Sequence, residues 1–193
     1  KCNNSIAMEK TETFVANIVP EEEVLVETVN AFGDKFRDLS ELEELMSMEN
    51  PPHHHPLTGP IYVDGAQPGD FLKVHIEKIE LKEMAQMLSK SAGIIPLKDE
   101  DFDFSSRFPV IAHVVDEERN LRYFKNQLRL VATPCIGMIA TMPKEGKTKT
   151  GHIGETGGNF DNPFISEGVD IYLPVEVEGA GLYIGDVHAK QAY

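Results

Sequence analysis

The chain has 193 residues, and its 18 lysines and arginines against 32 aspartates and glutamates give a formal net charge of −14. Since binding to nucleic-acid phosphates requires a basic face, this balance excludes a nucleic-acid-binding protein. The 41% of hydrophobic residues is typical of a globular protein, and no apolar run reaches the roughly 20 residues of a membrane-spanning helix. Cys2 and Cys135 cannot build a disulfide framework. We therefore expect a soluble, cytoplasmic protein that binds neither nucleic acid nor membrane.

Most of the predicted elements are strands. Short β-branched segments that are bounded by polar or proline-containing stretches favour strand over helix. In 71–81, Leu72, Val74 and Ile76 alternate with polar residues, which is the pattern of a half-buried strand. In chain order, the predicted strands are 12–19, 23–29, 71–81, 109–115, 121–131, 135–141, 169–177 and 181–185.

The predicted helices are few and short. Ser40 and Glu43 fit a capping box that opens a helix over 39–49. The segment 81–90 fits either a second short helix or a strand that continues from residue 80. The proline-rich 51–60 and the glycine-rich 144–163 predict loops. The sequence therefore predicts a mainly β fold, a sandwich or barrel with one or two short helices.

A run of three histidines, His53 to His55, is the first candidate for chemistry. In an extended segment neighbouring side chains point to opposite faces, so His53 and His55 could converge. One interpretation is a solvated polar loop. The other is that His55, beside the rigid Pro56, binds a metal, because imidazole suits zinc and other first-row metals.

The second candidate is Asp186 with His188, which follow a strand-like segment and a glycine. Residues two apart on an extended segment project to the same face, which suits a shared metal or an aspartate–histidine pair. The alternative is an aspartate-capped turn with an incidental exposed histidine.

The third candidate is the loop of residues 157–162, GGNFDN. Its two glycines permit close approach of the backbone to a ligand, so we expect Gly158 and Asn159 to bind substrate. Asp161 lies on the same side of the extended turn, and Glu155 lies just upstream as a further carboxylate. The alternative is an Asx turn, a common use of Asn and Asp.

Three other residues are interpreted as structural. His75 shares a strand face with charged residues and is expected to be solvated, and His113 lies inside an apolar strand as a core histidine. Cys135 is interpreted as a small buried hydrophobic residue, because the sequence locates no base that would activate it.

Three stretches in order resemble the acetamidase/formamidase family. They are HPLTGPIYVDGAQPGD at 55–70, PCIGMIATMP at 134–143 and GGNFDNPFISEGVDIYLPVEVEGAGLYIGDVHAKQ at 157–191. Members of the family carry a TGPIxVxGAxPGD segment, a GGNxD segment and an LYxPVxVxGAxxxxGDxHxxQ segment at similar separations. The resemblance extends over most of the chain and implies one amidase-like β-domain over 1–193.

The resemblance implies that a metal-activated water hydrolyses a short carboxamide, formamide-like or acetamide-like, to the acid and ammonia. It implies His55, Asp161, Asp186 and His188 as metal ligands, while Asp161 and Glu155 are the expected catalytic carboxylates. Zinc suits this ligand set, and calcium is the alternative because it prefers oxygen ligands. A homodimer is the expected oligomer.

Two departures from the family pattern favour an alternative function. Thr156 stands where many members have a histidine, and members continue past HxxQ into a GDGE segment, so we expect a chain that lacks the usual carboxyl-terminal part. The alternative is a non-catalytic amidase-like β-domain that binds metal or oligomerises without turnover. A third hypothesis, a cupin-like metal or sugar binder, would need an HxH motif on a strand, whereas these histidines lie in a proline-rich loop.

Overall fold

A computed structural model of the chain describes residues 7–31, 41, 44, 55–87, 110–114, 120–123 and 128–191. These residues form strands and hardly any helix, which confirms the prediction of a mainly β fold. Among them only Glu41 and Glu44 are helical; both lie in the predicted helix 39–49, whose other residues are outside the described set. None of the described residues belongs to a helix that is long and apolar enough to cross a membrane.

The strands are numbered in chain order. They are β1 (Ala7–Glu9), β2 (Ala16–Ile18), β3 (Leu57–Val63), β4 (Phe71–Ile76), β5 (Met84–Met87), β6 (Val110–Val114), β7 (Asn120–Tyr123), β8 (Leu128–Val131), β9 (Cys135–Ala140), β10 (Lys147–Lys149), β11 (Ile153–Gly154), β12 (Gly157–Asn159), β13 (Val169–Pro174) and β14 (Leu182–His188).

The chain divides into two compact units. The first contains Lys1–Gly33, His53–Ile79 and Thr133–Tyr193, and the second contains Asp34–Pro52 and Glu80–Ala132. The second unit holds a four-stranded antiparallel sheet in the order β5-β6-β7-β8. All the candidate functional residues belong to the first unit, so the description of the site concerns that unit alone.

The largest sheet of the first unit has six strands in the order β11-β12-β9-β14-β3-β2. Its pairings are antiparallel except for β2 and β3, which run parallel. β9 and β14 lie in the middle, and every residue of β9 is buried. A central strand that is covered on both faces needs a continuous apolar sequence, which Cys135–Ala140 supplies as CIGMIA.

A two-stranded antiparallel ribbon, β4 with β13, confirms the alternation predicted from residue 71 onward. Leu72 and Val74 pack against the buried core cluster and Ile76 belongs to it, whereas Lys73 and His75 are exposed. The strand ends at Ile76 and does not extend to residue 81 as predicted, because β13 pairs only as far as Ile76.

The predicted strand 23–29 is wrong, since residues 22–30 form no strand. Leu25 is 86% exposed and Val24 is 39% exposed, so their apolar side chains do not form the buried face on which a strand alternation depends. The carbonyl of Glu27 instead accepts a hydrogen bond from the Thr58 hydroxyl at 2.6 Å. The neighbouring prediction, 12–19, shrinks to Ala16–Ile18, the part that pairs with β3.

Two segments that were predicted as loops contain strands. β10, β11 and β12 lie within 144–163, because β1 and β9 provide distant partners for β10 and β12. β3 begins inside the proline-rich 51–60, and Pro60, which has no N–H to donate, still accepts a hydrogen bond from Val15 N at 2.9 Å. In 81–90 the structure has a separate strand, Met84–Met87, and residues 77–83 form no strand, so the predicted continuation from residue 80 is wrong.

Candidate metal centre

The two central strands and two adjoining segments bring the candidate residues together. Asp186 and His188 lie at the end of β14, and the register sets His188 opposite Cys135 of β9. Asp161 follows β12, which pairs with the other edge of β9, and His55 precedes β3, which pairs with the other edge of β14. The site therefore depends on pairings between segments that are far apart in sequence.

The Asp186 carboxylate is the centre of the cluster. Its Oδ2 lies 3.1 Å from Nδ1 of His55 and 3.5 Å from Nε2 of His188, and the latter nitrogen is 3.7 Å from Oδ1 of Asp161. One ligand atom each from Asp161, Asp186 and His188 can be chosen so that all three lie within 4.8 Å of one another. Two carboxylates and an imidazole at these separations can surround one cation.

Gly137 of β9 makes room for this arrangement. A β-carbon at Gly137 would lie 2.6 Å from the Asp186 carbonyl oxygen, 3.0 Å from its Oδ2 and 3.0 Å from Cε1 of His188. The carbonyl of Gly137 also accepts hydrogen bonds from the backbone N–H groups of Phe160 at 2.9 Å and Asp161 at 3.1 Å. Gly137 thus has two roles. Its carbonyl binds the backbone of the Asp161 segment, and its lack of a side chain leaves space for the Asp186 carboxylate and the His188 ring.

Both aspartates of the cluster have a left-handed backbone conformation. The φ angle is +47° at Asp161 and +48° at Asp186. Aspartate reaches this region more readily than most residues because its short polar side chain can hydrogen-bond locally, but it still has a conformational cost. Such conformations cluster at functional sites, where the surrounding structure fixes them.

The acid–base equilibria of the cluster follow from its charges. Burial raises the pKa of Asp186, but hydrogen bonds from His188 and His55 outweigh this effect and hold the pKa well below its ordinary value. The hydrogen bond to Asp186 raises the pKa of His55. Burial lowers the pKa of His188, yet the hydrogen bond to Asp186 and the charge of Asp161 raise it overall. The pKa of Asp161 is raised, chiefly by burial. The site therefore attracts positive charge.

Asn159 provides a test of whether the site fits a metal ion. Its Nδ2 donates a hydrogen bond to Oδ2 of Asp161 at 3.4 Å, while its buried Oδ1 has no hydrogen-bond partner among the described residues. An unsatisfied buried oxygen is costly, and a cation is one means of satisfying it. Together with two carboxylates and an imidazole, this donor set fits a divalent ion such as zinc.

The other predicted site residues have different surroundings. Glu155 is exposed in the turn between β11 and β12, and no contact found within the described residues links it to the cluster. Gly158 packs against the backbone of His152, which a side chain at Gly158 would meet. His75 pairs with Asp170 at 2.7 Å on the exposed face of the ribbon. The neighbours of His55 in the histidine run, 53 and 54, are outside the described residues.

Sequence reasoning missed two residues that contact the site. Cys135 is fully buried as predicted, but its Sγ also lies 4.0 Å from Nδ1 of His188. Burial, followed by the charges of Asp161 and Asp186, raises the pKa of the Cys135 thiol. For Gly137 the available signal was a glycine in the middle of an apolar strand, which often marks a close approach by another group.

Comparison with known proteins gives one consistent result. A sequence profile of the Acetamidase/Formamidase family matches residues 11–150 and 138–192. The crystal structure of an acetamidase from Bacillus halodurans superposes with a TM-score of 0.81 at 29% identity, over 98% of this chain and 61% of the other. A recombinant predicted acetamidase/formamidase from Thermoanaerobacter tengcongensis gives a TM-score of 0.81 at 31% identity, over 98% and 60% of the two chains.

A chain from Schizosaccharomyces pombe that is described as a candidate formamidase is 25% identical, over 92% of this chain and 56% of its own. This chain therefore spans less than two thirds of the length of these relatives. The profile match extends over most of the chain, in agreement with the resemblance found in the three sequence stretches. The chain belongs to the acetamidase/formamidase family.

Proposed function

We propose that the chain carries out the metal-dependent hydrolysis of a short linear carboxamide, such as formamide or acetamide, to the carboxylate and ammonia. The observation that carries this proposal is the convergence of Asp161, Asp186 and His188 within 4.8 Å. The substrate class is supported by similar proteins, which are described as acetamidases or formamidases.

The proposed metal ligands are Asp161, Asp186 and His188, which converge within 4.8 Å, and His55, which is not part of that group of three but contacts Asp186 at 3.1 Å. Zinc is the proposed ion because it accepts mixed oxygen and nitrogen ligands, whereas calcium would prefer oxygen alone. A bound divalent ion lowers the pKa of water towards neutrality and polarises the amide carbonyl.

Asp161 is the proposed acid–base residue. Its side chain is 43% exposed, unlike that of Asp186 at 6%, so it has access to water and to a small substrate. In the metal-free chain burial raises its pKa, so its carboxylate holds a proton more readily than that of Asp186, whose pKa is lowered. In this role Asp161 accepts a proton from the attacking water and delivers one to the departing nitrogen. Glu155, exposed nearby in sequence, is the second candidate for the same role.

Asn159 is the proposed substrate contact, with the backbone at Gly158 beside it. The Asn159 amide already holds Asp161 through Nδ2 at 3.4 Å, so substrate bound at this residue would lie close to the proposed base. Hydrogen-bonding groups at such a position can distinguish an amide from an acid or an ester, because an unmatched buried polar group loses binding free energy.

The experiment is an assay of ammonia release from formamide and acetamide, with metal-stripped protein to which zinc or calcium is added. We expect zinc-dependent turnover that, compared per bound zinc because Asp161 is also a proposed ligand, falls at least 100-fold in Asp161→Asn and remains within a few-fold of wild type in Glu155→Gln, on the usual scale of acid–base catalysis of about 10²–10⁴. The opposite ranking would assign the role to Glu155. Zinc binding without ammonia release in folded wild-type protein would favour the non-catalytic metal-binding domain.

A further inference from the structure

We propose that Cys135 is a positioning residue for His188, with its sulfur accepting the Nδ1–H bond so that Nε2 faces the two aspartates. This inference rests on the proposed metal site, which it deepens by assigning a function to a side chain outside the ligand set. Residues that orient metal-bound histidines contribute to affinity even though they do not touch the ion.

The geometry assigns the two ends of the His188 ring to different partners. Nδ1 is 4.0 Å from Sγ of Cys135, whereas Nε2 is 3.5 Å from Asp186 Oδ2 and 3.7 Å from Asp161 Oδ1. A distance of 4.0 Å is long for oxygen but within reach of a hydrogen bond to the larger sulfur atom. The sulfur therefore lies on the side of the ring that faces away from the carboxylates.

The contact between Cys135 and His188 matters because it favours one tautomer of the neutral imidazole. Neutral histidine carries one proton, so a ring that offers Nε2 to a metal must carry its proton on Nδ1. The His188 side chain is only 22% exposed, and among the described residues the Cys135 sulfur is the acceptor found for its Nδ1–H group. Without that acceptor, the tautomer that leaves Nε2 free for the metal would be less favoured.

The position of Cys135 is well defined by its backbone. It pairs with His188 on one side and forms a bridge to Ser166 on the other, and its side chain is completely buried. Gly137 leaves room for the His188 ring, because Cε1 lies only 3.0 Å from the place that a β-carbon on Gly137 would occupy. The buried Cys135 sulfur is therefore the neighbour that contacts Nδ1 of the ring.

Two substitutions separate hydrogen bonding from packing. Cys135→Val fills the space but has no acceptor, and Cys135→Ser keeps an acceptor but is smaller. We expect zinc affinity, measured by competition with a chelator, to fall about 10–100-fold in the valine variant and less in the serine variant. Thermal unfolding of the metal-free proteins should give the reverse order, with the valine variant the more stable. Met138→Leu, at an equally buried position of the same strand, is the control and should bind zinc as wild type does.

Two spectroscopic measurements complete the test. Nitrogen NMR of the zinc-bound wild type should show His188 protonated at Nδ1 and coordinated through Nε2. The cobalt-substituted protein should lack the thiolate-to-cobalt charge-transfer band that direct ligation by Cys135 would produce.

Three results would each overturn the inference while leaving the metal site in place. They are a valine variant that binds zinc as tightly as wild type, coordination of zinc through Nδ1 of His188, and a thiolate-to-cobalt charge-transfer band. A folded wild-type protein that binds no divalent ion would overturn the metal site and, with it, this role of Cys135.

Discussion

Gly137 and Asp186 face each other across the two central strands so closely that a β-carbon on Gly137 would lie 2.6 Å from the Asp186 carbonyl oxygen. The same β-carbon would lie 3.0 Å from the carboxylate oxygen Oδ2, the atom that also contacts His55 and lies 3.5 Å from His188. A side chain at position 137 would push β9 and β14 apart, and the two strands cannot separate without losing their pairing. The cluster therefore depends on the missing side chain of Gly137 as much as on its own donor groups.

The substitution Gly137→Ala should disrupt the cluster. The added methyl group must displace the Asp186 backbone or carboxylate, so we expect zinc affinity to fall at least 10-fold and stability to fall by about 1–3 kcal/mol, the usual cost of overpacking. Isothermal titration and urea unfolding measure the two effects. Gly151→Ala is the matched control: it lies in an exposed turn with nothing within 4 Å of the added carbon, and should change stability by less than about 0.5 kcal/mol. Normal zinc binding by Gly137→Ala would show that the cluster tolerates the methyl group.

In the metal-free protein, the contribution of the Asp186 cluster to the free energy of unfolding should depend on pH. The pKa values of His55 and His188 are raised above the ordinary 6.5, so their contribution is complete below pH 6.5 and is lost as pH rises through the raised values. The pKa of Asp186 is lowered from 3.8, so its contribution is present above pH 3.8 and is lost as pH falls through the lowered value. The interaction of Asp186 with the two histidines therefore stabilises the fold most between pH 3.8 and 6.5.

Asp186→Asn tests this pH dependence. Between those pH values we expect the metal-free variant to be less stable than wild type by about 1–3 kcal/mol, the scale of a buried hydrogen bond to a charged group. The difference should shrink above the raised histidine pKa values, where both rings are neutral. Thermal unfolding as a function of pH measures it, and Asp64→Asn, which removes a charge from an exposed side chain, controls for net charge. A difference that stays constant from pH 5 to 9 would contradict the coupling.

Thr141 should contribute to the stability of the first unit through its hydroxyl group. Thr141 is completely buried, and Oγ1 donates a hydrogen bond to the carbonyl of Pro174 at 2.5 Å. Thr141→Val keeps the shape but leaves that carbonyl without this donor, so we expect a loss of about 1–3 kcal/mol in urea unfolding. Thr133→Val removes a hydroxyl that accepts an exposed hydrogen bond from Lys190, and the expected change is below about 0.5 kcal/mol. Equal effects of the two substitutions would count against the buried bond.

The exposed face of the β4–β13 ribbon should respond to salt. Hydrogen bonds from His75 and then Lys73 lower the pKa of Asp170, so the contribution of this carboxylate is present above its ordinary pKa and is lost as pH falls through the lowered value. Because all three groups are exposed, salt screens the interaction. Asp170→Asn should therefore cause a small decrease in melting temperature at low salt and almost none at 1 M salt. A decrease that is independent of salt would indicate a packing effect instead.

Local patterns in the sequence were sufficient where one face of a strand is buried by its own neighbours. The alternation of Leu72, Val74 and Ile76 reports that face directly, and the apolar run of Cys135–Ala140 reports a central strand. The prediction failed for 23–29 and for the glycine-rich 144–163. In the first, Val24 and Leu25 are exposed and only Val26 packs against the core. In the second, β10 and β12 pair with the distant strands β1 and β9, while β11 pairs locally with β12.

Some residues of the candidate site could likewise be predicted from the sequence, and others could not. Asp161, Asp186, His188 and His55 could be named from motifs, because the GGNFDN loop, the aspartate–histidine pair after a strand and the histidine run stand out in the sequence. Gly137 and Cys135 are harder to assign, because their contacts come from the pairing of β9 with β14. The glycine in an apolar strand signals a close approach, but it does not say which group approaches. A glycine and a small apolar residue inside an apolar strand are consistent with simple packing until the partner strand is known.

The most direct measurement of the central claim is the anomalous scattering of zinc in crystals of the metal-stripped chain after zinc is added. If Asp161, Asp186 and His188 form the metal site, the strongest anomalous peak lies between their three side chains, at about 2.0–2.2 Å from each donor atom. The peak should be lost in Asp186→Asn crystals under the same conditions. A fully occupied zinc site elsewhere in the chain, with no peak between these three residues, would contradict the account.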